Sequence, residues 1–193
     1  MVPARLVLED GTQWPGWTGR PGVRVLGEVV FNTSMAGYQE VITDPSYAGQ
    51  IVVMTYPLIG NYGVDPGRDE APRPAASGLI ARAFWESEVG GGAGRGFAGY
   101  LERLGVAAGE GFDTRALTRH LRRRGTLRGV LTTDMTAPAQ ALAAEARAWH
   151  DQAPVWRVTT PEPYSLGGGR IHIAVVDFGV KRSIVRELAG RGC

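Results

Sequence analysis

One short segment of the sequence combines residue types that can bind a small polar molecule. Between residues 32 and 47 it places Asn, Thr, Ser, Tyr, Gln, Glu and Asp side chains, and Asp44-Pro45-Ser46-Tyr47 has the pattern of a type I turn. The pattern allows two interpretations: a turn that fixes its own backbone, or a loop that presents the Ser46 hydroxyl to a polar small molecule or a neighbouring domain. Composition alone favours the turn.

Two glycine-containing patterns match known ligand motifs but lack the context that the chemistry needs. Residues 94–99 have the spacing G-x-G-x-x-G, but a dinucleotide site needs a buried strand immediately before it, and the sequence there is ESEVGGG. We therefore predict a flexible loop over residues 90–96. Asp177-Phe178-Gly179 spells the metal-binding tripeptide of kinases, but the other kinase motifs are missing. A strand end with a glycine turn is the better interpretation.

The histidines and the single cysteine do not form a recognisable catalytic or metal-binding set. His120, His150 and His172 have no common spacing and no cysteine neighbours. Cys193 has no downstream histidine and no tight-turn motif around it, so we predict a structural or incidental thiol rather than a nucleophile. We assign no catalytic residue, no metal ligand and no cofactor to the chain.

Arginines crowd one predicted helix and the residues that follow it. Lys181 is the only lysine among 21 basic residues, and arginine suits carboxylate partners because its planar guanidinium donates two hydrogen bonds at once. The cluster favours either a solvated face or a contact surface for an acidic protein. Nucleic acid is disfavoured because no aromatic residues are interleaved and the formal net charge is only +2. The cluster consists of Arg115, Arg119, Arg122, Arg123, Arg124 and Arg128.

Residue patterns predict strands in the first half of the chain and helices in the second. Apolar runs rich in β-branched residues predict strands over residues 5–9, 23–33, 50–56 and 79–84, with a hairpin turn at Asp10-Gly11. Helical spacing predicts helices over residues 97–104, 113–124 and 138–149. In the second of these, Asp113 is the expected N-cap and Gly125 the end.

The last part of the sequence changes character after a linker. Residues 151–169 contain three prolines and end in three glycines, a composition typical of linkers. Residues 171–178 are almost continuously apolar, which predicts a buried parallel strand, and residues 181–189 predict a helix. These residues are expected to be the first piece of a doubly wound α/β domain whose remainder is absent.

Length and composition set broad limits on the class of protein. The chain has 193 residues, of which 44% are hydrophobic and 21% charged, as in ordinary globular domains. No apolar run approaches the length of a membrane helix, and residues 1–10 do not have the pattern of a signal peptide. One cysteine excludes a disulfide framework. We expect a cytoplasmic protein without membrane contact.

Three long segments of the sequence can be compared with known families. They are residues 27–64 (GEVVFNTSMAGYQEVITDPSYAGQIVVMTYPLIGNYGV), 111–131 (GFDTRALTRHLRRRGTLRGVL) and 175–193 (VVDFGVKRSIVRELAGRGC). Together they resemble the small, glutamine-hydrolysing subunit family of carbamoyl phosphate synthetase. The resemblance extends over nearly the whole chain in the right order and is looser over residues 65–110 and the linker. The segments are long and specific.

The resemblance implies a mixed α/β protein of two parts. Residues 1–150 would form a swivelling β/β/α domain, residues 151–169 a linker, and residues 170–193 the truncated start of a class I glutamine amidotransferase domain. In that family a cysteine hydrolyses glutamine through a thioester, and ammonia passes to a large subunit that uses bicarbonate and ATP. ATP and magnesium are expected on the large subunit, and the product serves arginine and pyrimidine synthesis.

The resemblance carries one functional residue over to this chain, and it leaves two functions open. Ser46 corresponds to a family contact to bound glutamine, whereas the cysteine elbow and the later His-Pro-Glu region of the family are absent, so the chain alone is expected to be inactive. The first function is that of a glutaminase subunit that binds L-glutamine and the large subunit. The alternative is a non-catalytic docking module for a large partner.

Overall fold

The computed structural model describes residues 1–85 and 96–193, which form a mixed α/β structure. The strands are β1 (Val2–Leu8), β2 (Gln13–Thr18), β3 (Arg24–Asn32), β4 (Gln50–Met54), β5 (Leu58–Ile59), β6 (Gly78–Ile80), β7 (Ala83–Phe84), β8 (Ala107–Glu110) and β9 (Leu127–Thr132). The helices are α1 (Tyr38–Thr43), α2 (Phe97–Arg103), α3 (Thr114–Arg124), α4 (Ala139–Ala148), α5 (Pro154–Val158) and α6 (Arg182–Gly190). Two short 3-10 helices cover Pro45–Tyr47 and Pro66–Arg68.

Seven strands close into a barrel. Their order around the barrel is β1-β2-β8-β6-β4-β3-β9, and β9 pairs with β1 to complete the circle. The pairs β3–β4, β4–β6 and β6–β8 are parallel and the other four are antiparallel. Closure satisfies the backbone hydrogen bonds of both edge strands, so the barrel presents no open edge. β5 and β7 form a separate two-stranded pair.

Alternation along the strands explains how an uninterrupted apolar run fits this barrel. In β4, Ile51 and Val53 belong to the cluster inside the barrel, whereas Val52 and Met54 belong to the cluster packed with α1 and α2. Successive side chains of a strand point to opposite faces, so β4 needs apolar residues at every position because both of its faces are covered. The sequence QIVVM is the direct consequence.

A phenylalanine and α3 fill one part of the barrel interior. Phe112 is fully buried in the cluster that contains Leu117 and Leu121 of α3. Its ring lies so close to Gly16 of β2 and Gly109 of β8 that a Cβ at Gly16 would be 2.2 Å from the ring. The absence of side chains at these glycines makes room for the aromatic ring. This packing fixes where α3 begins relative to the barrel.

Helix α3 has the ends that the sequence predicts. The Asp113 carboxylate accepts the N–H of Ala116 at 2.9 Å and caps the first turn. Gly125 follows the last turn with φ of 86°, a conformation that favours glycine, and its N–H donates to the Leu121 carbonyl. α3 therefore holds its arginine-rich face in a defined position.

The C-terminal part differs from the sequence prediction in one respect. The predicted helix is present as α6, but residues 171–176 form no strand, and Ile171, Val176 and Phe178 are mostly exposed. The predicted strand was wrong for this structure because a buried parallel strand needs neighbouring strands, and no described strand pairs with these residues. The predicted linker also contains α5.

The other differences concern short elements and their boundaries. The strands at residues 5–9, 23–33 and 50–56 and the helices at 97–104 and 138–149 are confirmed within a few residues, whereas the predicted strand over 79–84 is divided between β6 and β7. The predicted glycine loop lies outside the described residues, except for Gly96. In the part of the chain that the structure describes, no helix combines the length and the apolar character needed to cross a membrane.

Candidate functional site

Ser46 lies in a 3-10 helix that follows directly after α1. Asp44 precedes this helix, and its carboxylate accepts the backbone N–H of Ser46 at 2.9 Å. Pro45 occupies the first position, where its missing N–H and fixed φ suit a helix start. The backbone of Ser46 is thereby fixed, while its side chain is exposed and its hydroxyl makes no hydrogen bond within the described structure.

The second carboxylate oxygen of Asp44 pairs with the only lysine of the chain. Lys181 Nζ lies 2.6 Å from Asp44 Oδ2, and Asp44 is buried apart from 9% of its side chain. The hydrogen bond to Asp44 raises the pKa of Lys181 above its ordinary value of 10.5, so the lysine is charged at neutral pH. One aspartate therefore holds the Ser46 backbone and the segment that leads into α6.

Glu70 joins the first turn of α6 to the same region. Its carbonyl accepts the N–H of Arg182 at 2.9 Å, and its carboxylate accepts the N–H of Ser183 at 2.9 Å. Its own N–H donates to Thr43 Oγ1 of α1 at 3.0 Å. The free N–H groups at a helix start favour a carboxylate. Glu70 therefore connects α1, which precedes Ser46, to α6.

A turn at residues 177–180 brings the C-terminal segment next to the Ser46 helix. The Asp177 carboxylate accepts the N–H groups of Gly179 and Val180, both at 2.7 Å, which explains the tripeptide Asp177-Phe178-Gly179 as a turn. Gly179 has φ of 105°, and a Cβ there would meet Pro45 at 3.0 Å. Glycine allows the close approach of the two segments.

An open groove of about 460 Å³ lies beside Ser46. It is bordered by the Ser46 helix, the start of β4, the end of α4, α5 and the side chain of Phe178. One wall is fixed by an ion pair between Asp151 and Arg157, and Gly49 packs against it with φ of 72°. The lining residues are Glu28, Pro45, Ser46, Ala48, Gly49, Gln50, Arg128, Trp149, His150, Asp151, Pro154, Val155, Val158 and Phe178.

Most polar residues of the segment 32–47 stabilise the structure rather than face the groove. Gln39 is buried and bonds the backbone of Asp65 at both its amide nitrogen and its amide oxygen. Tyr38 donates to the Gly63 carbonyl at 2.7 Å, and burial raises its pKa to about 12. Asn32 donates to the hydroxyl of Tyr47 at 2.9 Å. The turn interpretation therefore describes Gln39, Tyr38 and Asn32 well, whereas Ser46, like Thr33 and Ser34, is exposed.

The Ser46 hydroxyl is accessible to a polar ligand, but no described residue is bonded to it as an activating base. The Ser46 hydroxyl can both donate and accept a hydrogen bond, yet no described histidine is bonded to it, although His150 borders the same groove. Cys193 is partly exposed, and its thiol is likewise not hydrogen-bonded to any described histidine. A nucleophile of either kind normally has an adjacent base.

His120 has structural partners that account for its position. His120 Nε2 lies 2.6 Å from Asp10 Oδ2, and its ring packs at 5.8 Å from that of Trp14. Burial alone would raise the pKa of Asp10, but hydrogen bonds from Thr12 and His120 lower it. Over residues 1–85 and 96–193, no three His, Cys, Asp or Glu side chains are grouped as a metal site would require.

Sequence reasoning did not identify Lys181 or Glu70 as parts of this site. Both act through contacts with residues far away in the chain, so no local pattern indicates them. One signal was available for Lys181, which is the single lysine in a chain that otherwise uses arginine. Lysine presents a compact ammonium where arginine presents a planar guanidinium, so this position stands out from the other basic residues.

The sequence of this chain matches one protein family and several proteins of that family. Residues 6–131 match the family described as "Carbamoyl-phosphate synthase small chain, CPSase domain". The carbamoyl phosphate synthase small chain of Symbiobacterium thermophilum is 48% identical over 96% of this chain and 53% of its own length. That of Chlorobaculum tepidum is 42% identical over 100% of this chain and 54% of its own length.

The matches also define how much of the relatives this chain represents. The small chain of Bacillus caldolyticus is 45% identical over 98% of this chain and 52% of its own length. The chain therefore spans about half the length of the curated relatives it matches. An aminopeptidase from Aneurinibacillus sp. strain AM-1 matches with a TM-score of 0.37 and 17% identity, covering 68% of this chain and 31% of that one, and supports no inference. From the family match and these relatives, the chain belongs to the carbamoyl-phosphate synthase small-chain family.

Proposed function

We propose that the chain acts within a glutamine-dependent carbamoyl phosphate synthase. In this function ammonia released from glutamine passes to a large subunit, which binds ATP and magnesium and joins the ammonia to bicarbonate. The match of residues 6–131 to the small-chain family carries the proposal. The complex would work in the cytoplasm and supply arginine and pyrimidine synthesis. Residues 1–150 would provide the scaffold, and residues 170–193 the opening of a glutamine amidotransferase domain.

Within this function, Ser46 contacts the substrate L-glutamine. Three properties of Ser46 support the assignment: its hydroxyl is exposed, it has no hydrogen-bond partner in the described structure, and its backbone is fixed by Asp44. The segment 177–181 lies against the same 3-10 helix through Lys181 and Gly179. Glutamine would therefore lie at the boundary between the barrel and the C-terminal segment.

The chain's own residues bind and position in this proposal, and none of them is assigned as the nucleophile. Cys193 has no base bonded to its thiol among the described residues. We therefore predict that the 193-residue chain alone does not release ammonia from glutamine. Asp44, Lys181 and Glu70 are positioning residues because they hold the Ser46 helix and α6 together.

The substitution Ser46→Ala in the complete small chain, assembled with its large chain, tests the substrate contact. Loss of one hydrogen bond of about 1 kcal/mol raises the KM for glutamine about fivefold, while synthesis from free ammonia is unchanged. Ser34→Ala is the matched control, because Ser34 is also exposed and uses only its backbone N–H in a hydrogen bond. An unchanged glutamine KM in Ser46→Ala would remove the assignment.

A non-catalytic docking module is the second candidate function. An arginine-lined surface on α3, on a different part of the molecule from Ser46, favours it. The two functions differ in the Ser46→Ala experiment, because a docking module alone needs no glutamine contact. They are compatible within one complex, since a barrel can bind the large subunit on one side and contribute Ser46 on another.

A further inference from the structure

A second groove of about 800 Å³ lies along α3, and four arginines line it. It is bordered by α3 on one side and by the ends of β3, β4 and the segment after β6 on the other. It shares no residue with the groove beside Ser46. The lining residues are Thr33, Thr55, Pro57, Arg82, Asp113, Thr114, Arg115, Thr118, Arg119 and Arg122.

The three α3 arginines in this groove form a row on one face of the helix. Arg115, Arg119 and Arg122 are spaced by four and three residues, and side chains at these spacings lie on the same face. With a rise of about 1.5 Å per residue, the row extends about 10 Å along the helix axis. Arg82 borders the same groove from outside α3. The groove therefore presents several guanidinium groups in series.

These four arginines have no carboxylate partners among the described residues. Elsewhere on the molecule arginines do find carboxylates: Arg128 lies 2.6 Å from Glu9, and Arg24 pairs with Glu145. None of the ion pairs within residues 1–85 and 96–193 involves Arg82, Arg115, Arg119 or Arg122. Among the described residues that line the groove, the one carboxylate is that of Asp113, and it caps α3.

A buried hydroxyl in the same groove also has no partner. Thr118 is only 9% exposed, and its Oγ1 makes no hydrogen bond in the described structure. A buried hydroxyl without a partner is energetically unfavourable, and native structures usually satisfy such groups. Thr118 lines the groove between Arg115 and Arg122 on α3. The Thr118 hydroxyl therefore lacks a hydrogen-bond partner, and the arginines beside it lack anionic partners among the described residues.

We propose that this groove binds an acidic segment of a partner protein. In an extended peptide, alternate side chains point the same way and lie about 6.6 Å apart. Along α3, Arg115 and Arg119 are separated by a rise of about 6 Å, so successive glutamates or aspartates can reach successive arginines. Carboxylates suit arginine because both oxygens accept hydrogen bonds at once. None of the described residues that line the groove is aromatic, so none of them can stack on a nucleobase.

A labelled octapeptide of alternating glutamate and serine tests the proposal on the 193-residue chain by fluorescence anisotropy. Replacing Arg115, Arg119 and Arg122 together by Gln lowers the affinity for this peptide about tenfold or more at low ionic strength. The control is Arg123→Gln with Arg124→Gln, which removes neighbouring charges on the same helix that do not line the groove. This control changes the affinity less than threefold, about the screened effect of two remote charges.

Thr118→Val separates a binding role from a structural one. Valine has the same shape without the hydroxyl, so the thermal midpoint does not fall, while the peptide binds about fivefold more weakly. The proposal is overturned if the octapeptide in which glutamine replaces glutamate binds equally well, or if the two arginine variants lose affinity equally. It is also overturned if oligothymidylate of equal charge binds more tightly than the acidic peptide. None of these outcomes depends on glutamine hydrolysis.

Discussion

Asp44 performs two tasks with one side chain, and substitution separates them. One oxygen caps the Ser46 helix by accepting the Ser46 N–H at 2.9 Å, and the other pairs with Lys181 at 2.6 Å. Asp44→Ala removes both interactions. Asp44→Asn keeps an oxygen that can accept the Ser46 N–H but removes the negative charge that faces Lys181.

These two contacts of Asp44 determine the expected changes in the free energy of unfolding. Loss of a cap costs about 0.5–2 kcal/mol of the free energy of unfolding. The ion pair contributes less, about 0–1 kcal/mol, because solvent screens the Lys181 side chain, which is 40% exposed. Asp44→Ala therefore lowers the free energy of unfolding by about 0.5–3 kcal/mol, and Asp44→Asn by about 1 kcal/mol or less.

Urea unfolding of the 193-residue chain measures both values, with Lys181→Met as the third variant. Lys181→Met removes the ion pair alone and lowers the free energy of unfolding by about 0–1 kcal/mol. In the Asp44→Asn variant, where the ion pair is already lost, Lys181→Met causes no further decrease. Because the pKa of Lys181 is raised, its contribution is present below pH 10.5 and is lost as the pH rises through the higher folded value. The stability difference between the parent chain and Lys181→Met therefore shrinks only in strong alkali.

Two outcomes would refute this reasoning about Asp44. If Asp44→Ala is no less stable than Asp44→Asn, the carboxylate does not act as a cap. If Lys181→Met destabilises the Asp44→Asn variant as much as the parent chain, the lysine does not act through Asp44. Arg191→Gln is the matched control, because Arg191 makes an exposed ion pair with Glu187 within the last turn of α6, and its loss is expected to change little.

Two further predictions test the barrel and its charged surface. Gly16→Ala lowers the free energy of unfolding by about 1–3 kcal/mol, because its Cβ would lie 2.2 Å from the Phe112 ring, whereas Gly19→Ala, with open space around it, is close to neutral. Equal losses of unfolding free energy in Gly16→Ala and Gly19→Ala, measured with urea, would contradict the close packing of Phe112 against Gly16. Although burial acts to raise the pKa of Glu9, hydrogen bonds from Arg128 lower it below its ordinary 4.5. Glu9 therefore stabilises the fold above pH 4.5 and loses this effect as the pH falls through its folded pKa. The stability difference between Glu9→Gln and the parent chain should shrink in acid, and a constant difference would exclude this linkage.

Elements with strong local signals could be predicted from the sequence. β4 carries five consecutive residues with one polar member, and both of its faces are covered. α3 has an aspartate cap, a buried apolar stripe and a terminal glycine, and these signals fix both of its ends. In both cases the local sequence preference and the tertiary packing favour the same structure.

β2 shows why other elements could not be predicted. Its sequence, QWPGWT, contains proline and glycine, which are poor strand residues. Pro15 is opposite Arg5 of β1, while the pairing of β2 with β8 is confined to Trp17 and Thr18. The missing N–H therefore falls where β2 has a neighbour on one side only. Tertiary closure of the barrel, rather than local preference, produces this strand.

In the candidate site, too, local features could be predicted from the sequence and contacts between distant residues could not. The turn at Asp44-Pro45-Ser46 was predictable because its signals lie within three residues. The contacts of Lys181 with Asp44 and of Ser183 with Glu70 join residues more than 100 positions apart. A single sequence contains no periodicity that relates such distant positions. The arginine row was visible as a cluster, but Arg128 proved to belong to β9 and to pair with Glu9.

Direct association with the large chain of carbamoyl phosphate synthase is the most direct test of the proposed function. Sedimentation velocity of the 193-residue chain with the purified large chain, at micromolar concentrations of both, reports whether they form one complex. We expect a single faster boundary that contains both chains. Two separate boundaries under these conditions would contradict the proposal that this barrel is the docking part of a synthase small chain.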